Sequence, residues 1–131
     1  MRNRFAVTAH FAGEWDESRV QRWAETTRAR LEAPTVTLGV VFMTPQFFDV
    51  ANEALDILRL HARIPLLVGC SSQSLIANGE ELEDQAGLVL QLLHLPGAEL
   101  TGTHFAQNVI EDLSGPTAWQ EKIIAASPAG V

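Results

Sequence analysis

The sequence predicts an α/β fold: a mixed sheet in which two βαβ crossover units are followed by antiparallel strands, with helices packed on the sheet. Three observations predict it. Residues 36–43 (VTLGVVFM) and 65–70 (PLLVGC) are apolar at nearly every position, the pattern of strands covered on both faces. Segments with apolar residues three and four apart precede and separate them, as parallel crossovers require. After Cys70 that alternation stops, and shorter apolar pieces divided by turn dipeptides take over.

The elements follow in order. Residues 5–11 (FAVTAHF) are rich in β-branched and aromatic side chains and predict a first strand, which Gly13 ends. Asp16 then offers an N-cap, and Trp15 before it can staple onto Val20. The helix so started runs to about Glu32, with Val20, Trp23, Thr27 and Leu31 on one stripe, and Pro34 stops it. Residues 36–43 form the strongest strand, and apolar side chains on both faces place it centrally in the sheet. Thr44-Pro45 is a helix start with proline in the first turn. The second helix, to about Arg63, spaces Phe47, Phe48, Ala51, Ala54, Leu55, Leu58 and Ala62 along one face. Residues 65–70 make the next buried strand.

Beyond Cys70, Ser71 to Ser74 are polar, Leu75-Ile76-Ala77 is a short apolar piece, and Asn78-Gly79 is a turn dipeptide. The acidic run Glu80-Glu81-Leu82-Glu83-Asp84 has the composition of a solvated turn. Residues 88–95 (LVLQLLHL) predict another strand apolar on both faces, ending at Pro96-Gly97, and residues 99–105 a last one. Short helices are expected near residues 108–113 and 119–126. The closing Ser-Pro-Ala-Gly-Val has the composition of a linker, so the chain is expected to stop between elements.

Composition narrows the functional classes. A chain of 131 residues, 47% apolar and 19% charged, predicts one soluble domain, 1–131, that needs no metal or disulfide staple. With one cysteine, an intramolecular disulfide is impossible. No apolar run approaches the roughly 18 residues of a membrane span and no secretory signal is present, which predicts a cytoplasmic protein without membrane insertion. Nine basic residues stand against sixteen acidic ones, and residues 80–131 carry the whole net charge of −7 with Lys122 as their one cation. Clustered cations, the mark of a nucleic-acid partner, are missing.

The segment richest in chemistry is Gly69-Cys70-Ser71-Ser72-Gln73. It ends a predicted strand of a parallel pair, where α/β folds collect ligands, and its successive polar side chains suit a carboxylate, a phosphate or a polar metabolite. The competing reading is a turn whose serines cap their own backbone. Cys70 as nucleophile would need a base, and none of His10, His61, His94 and His104 is distinguished by spacing, so a small buried thiol is expected there and no catalytic residue is assigned. No His-Glu-x-x-His, Cys-x-x-Cys, G-x-G-x-x-G or P-loop spacing occurs, so neither metal nor cofactor is expected.

The order of these motifs is itself informative. Leu38-Gly39-Val40-Val41-Phe42 precedes Thr44-Pro45, then Pro65-Leu66-Leu67-Val68-Gly69-Cys70-Ser71-Ser72, then Asn78-Gly79-Glu80-Glu81-Leu82-Glu83, Gly87-Leu88-Val89-Leu90 and Leu95-Pro96-Gly97-Ala98. This series resembles the N-terminal module of the FIST family, sensory domains of bacterial signal-transduction proteins that also occur in a eukaryotic F-box protein. The resemblance is best over residues 5–105. It departs where many members carry a glycine soon after Gly-Cys-Ser and this chain has Gln73 and Ser74, and in length, which falls short of the family's module. It implies a small-molecule-sensing input domain for signal transduction, binding amino acids or similar metabolites without catalysis. The partners implied are a small-molecule ligand and the remaining FIST modules or a signalling partner, with a homo-oligomer allowed. The alternatives are a protein-interaction module without a ligand and, third, a Cys70-dependent enzyme.

Overall fold

A computed structural model describes residues 4–77, 79–83, 85–103 and 106–126. Two compact units follow one another along the chain, Met1–Ala98 and Glu99–Val131. The first is a mixed α/β unit built on a four-stranded sheet.

Its elements begin with β1 (Ala6–Ala12) and α1 (Glu17–Arg30). Asp16 caps α1 as its residue type predicts, accepting from the backbone N–H of Arg19 at 3.1 Å. Val20, Ala24, Thr27 and Leu31 are buried, and Trp23 meets Phe11 of β1 with ring centroids 5.6 Å apart. Strand β2 (Leu38–Met43) follows, and Val41 is 1% exposed at its centre. Thr44 and Pro45 open a 3₁₀ turn, Pro45–Val50, before α2 (Ala51–His61) begins. Thr44 does not cap that turn with its side chain. Its hydroxyl accepts from the N–H of Gly87 at 3.0 Å, tying the end of β2 to the strand beside it.

Strands β3 (Leu67–Ser71), β4 (Ser74–Ala77), β5 (Glu80–Glu83) and β6 (Gly87–Leu93) complete the unit. The sheet order is β1-β6-β2-β3, with β2 and β3 parallel and β6 antiparallel to both of its neighbours. Both crossovers therefore exist in direction, but only the second joins adjacent strands. Strand β6 inserts between β1 and β2, where Leu88, Val89, Leu90 and Leu92 are all buried. The core lies under α1 and α2, where Val7 and Phe11, Leu88, Leu90 and Leu92, and Val41 and Met43 meet Val20, Ala24, Phe47 and Leu58.

Three expectations need correction. Residues 65–70 were expected to form a buried strand, yet β3 is an edge strand, exposed from Val68 onward. The acidic run is not a turn over residues 80–83, because Glu80–Glu83 is β5, pairing antiparallel with β4 in a separate hairpin, and Asp84 lies outside the described residues. There Gly79, at φ +85°, takes the left-handed backbone that the turn needs. The hairpin sets Leu75 and Ala77 against Val89 on the sheet face opposite the helices. The strand expected over residues 99–105 is absent from 99–103, and the remaining two lie outside the described residues. In the second unit, α3 (Gln107–Asp112) and α4 (Gly115–Ala126) fall where short helices were expected. The expected linker at 127–131 lies outside the described residues.

Candidate functional site

The segment 69–73 sits at the carboxyl end of the parallel pair, as expected, but its side chains do not converge. Strand geometry sends successive side chains to opposite faces. Register pairs Gly69 with Val41 and Ser71 with Met43, on the helix-covered face, while Cys70 pairs with Phe42 and then Val89 on the other. Five neighbours at and after a strand end were expected to share one site, and the extension of β3 through Ser71 divides them.

Two of the five have structural work. A Cβ on Gly69 would collide with the carbonyl oxygen of Val41 and come within 2.8 Å of Val41 Cγ1, so the missing side chain admits the backbone of β2. Ser72 donates its backbone N–H to the carbonyl of Met43 at 2.8 Å and its hydroxyl to the carbonyl of Ser74 at 2.6 Å. That hydroxyl caps its own turn, the competing reading of the serines. Cys70, Ser71 and Gln73 are exposed. Cys70 is therefore not the buried thiol expected, because an edge strand leaves its outer residues without a covering neighbour. On its face stand Phe42 and Val68, 39% and 42% exposed.

None of the three described histidines is placed to serve Cys70 as a base. His10 shares its cross-sheet row but lies three strand spacings away, about 14 Å at roughly 4.8 Å per spacing. His94 lies beyond the end of β6 that pairs with Leu38, and its Nδ1 is 2.8 Å from the carbonyl oxygen of Thr35. His61 ends α2 and faces Glu25, with Nδ1 3.3 Å from Oε1. His104 lies outside the described residues. Among the described residues no three His, Cys, Asp or Glu side chains gather as a metal site, and no helix is long and apolar enough to cross a membrane.

A concave surface lies elsewhere. A cleft of about 590 Å³ opens at the amino ends of β2 and β3, lined by Arg28, Pro34, Thr35, Val36, Arg59, Leu60, Arg63, Ile64 and Pro65. It takes no residue from 69–73. No local pattern in the sequence marks it, because Arg59 and Arg63 lie 31 and 35 positions beyond Arg28. The folding of α1 beside α2 brings them together.

Compared with protein-family models, with curated proteins and with solved structures, the chain finds no match in any of the three.

Proposed function

We propose that this chain is a small-molecule-sensing input domain of a signalling protein, the role that its resemblance to the FIST family implies. On this reading the ligand is held at the carboxyl end of the β2–β3 pair. The observation that carries it is the exposed pair of Phe42 and Cys70 at that end, with Val68 next to them on the same face. Apolar surface beside a polarisable thiol is the material of a metabolite site. It forms a single wall here, so a second module or copy would close the pocket.

The test is thermal denaturation against a panel of amino acids and related metabolites. A ligand at 100 times its Kd adds about 2.7 kcal/mol of stability. Phe42→Ser with Cys70→Ser should leave the fold intact and abolish that shift. A shift that survives both substitutions would move the site away from β3.

The second reading, a protein-interaction module without a ligand, draws on the same strand. Strand β3 ends the sheet, so its outer backbone groups lack a sheet partner among the described residues, the template on which another chain adds a strand. It gains if no metabolite shifts the melting temperature while placing a proline at Ser71 abolishes complex formation.

A further inference from the structure

At the other end of the sheet, the cleft between the C-terminal ends of α1 and α2 gathers three of the chain's nine cationic side chains, Arg28, Arg59 and Arg63. We propose that this cleft binds an oxyanion of the phosphate class, carried on a small molecule with an apolar body.

Four observations converge on it. Among the described residues the lining carries three guanidinium groups and no carboxylate, in a protein whose net charge of −7 would otherwise repel an anion. Arg28 is 7% exposed and so is nine-tenths buried. Two of its nitrogens donate to the carbonyls of Leu31 (3.2 Å) and Ala33 (2.9 Å), and its Nε is buried with no hydrogen-bond partner among the described residues. Burial pushes that guanidinium below its ordinary pKa, and the charge of Arg63 pushes the same way, so the fold sets two cations close enough to repel.

The fourth observation is backbone strain. Arg63 holds φ at +54° just past the end of α2, a left-handed position where helices usually place glycine. A long cation kept where glycine fits better suggests that the side chain is wanted there. Asp56 offsets Arg59 at 2.8 Å, so the net positive charge of the cleft rests on Arg28 and Arg63. Planar guanidinium forks match phosphate oxygens, while Val36, Leu60, Ile64 and the two prolines offer an apolar wall larger than phosphate needs.

The competing role is capping. Arg28 and Arg59 stand in the last turns of their helices, where cations offset the C-terminal dipole. The experiment separates the two. Melting of the full chain is followed with phenyl phosphate, inorganic phosphate and benzoate at constant ionic strength, in the wild type, Arg59→Gln and Arg63→Gly. Phenyl phosphate should raise the wild-type melting temperature more than benzoate does. Arg63→Gly should melt no lower than wild type without ligand, because glycine accepts the φ, yet bind phenyl phosphate at least ~10-fold more weakly, as should Arg59→Gln. A shift as large from inorganic phosphate makes free phosphate the occupant and upholds the site. No shift from either phosphate, or shifts equal in all three proteins, would reduce the arginines to caps and overturn the proposal. Arg28 is left in place because it holds the backbone of Leu31 and Ala33.

Discussion

Strands β2 and β3 lie side by side in parallel register, and each continues an apolar run of the sequence, yet one is core and the other is surface. Val41 of β2 is 1% exposed, whereas Val68 of β3 is 42% exposed. The difference arises from position. Strand β2 has β6 on one side, β3 on the other, and the helices over one face. Strand β3 has one neighbour among the described residues, and the β4–β5 hairpin sets its apolar side chains on β6. An apolar run thus states that a strand prefers burial, and only its place in the sheet decides how much it receives. Apolar surface left at an edge is where an isolated unit is prepared to meet something else.

The contrast can be broken in order of expected effect. Val41→Asp should cost more than about 4 kcal/mol and prevent folding, since it buries an unpaired carboxylate, and circular dichroism would show the loss. A folded Val41→Asp protein would mean that β2 is not central. Gly69→Ala should cost about 3 kcal/mol by urea denaturation, because the methyl meets the backbone of Val41 and the strands must part. If that variant matches wild type, the close approach of β3 to β2 is wrong. Ser72→Ala removes the hydroxyl bond to Ser74 and should cost about 1 kcal/mol, while Ser71→Ala should cost less. Equal losses would return the two serines to a shared role. Val68→Thr should stay within about 0.5 kcal/mol of wild type, as exposed substitutions do. A penalty comparable to Val41→Thr would show that Val68 is covered in solution, and sedimentation would then reveal by what. Cys70, exposed on the same strand, should be labelled stoichiometrically by a thiol reagent without denaturant.

The candidate site shows the same division between local and global information. Gly69-Cys70-Ser71-Ser72-Gln73 was visible as a polar segment at a strand end, and that placement holds. Part of its dispersal was legible too, since Gly69 and Cys70 close a strand predicted over 65–70 and so face opposite ways. The extension of β3 adds Ser71 to that alternation. The arginine cleft is the reverse case. No local pattern links Arg28 to Arg59 and Arg63, and the packing of α1 against α2 creates the neighbourhood.

What the sequence by itself determined is what neighbouring residues decide among themselves. Asp16 caps α1 because its carboxylate reaches an N–H three residues on. Pro45 starts a helical turn because its ring holds φ near the helical value, and the apolar density of residues 88–93 demands a strand with cover. Tertiary structure alone decided which strand took the centre. The sheet could have paired β1 with β2 directly, and local propensity is the same in either order. Strand β6 won that place because four buried apolar side chains, Leu88, Val89, Leu90 and Leu92, serve both faces of the sheet at once. Strand β3, ending in Gly, Cys and Ser, has less apolar surface to bury and stands at the edge. Burial is summed over the whole sheet, so the competition for its centre is settled between segments far apart in the chain.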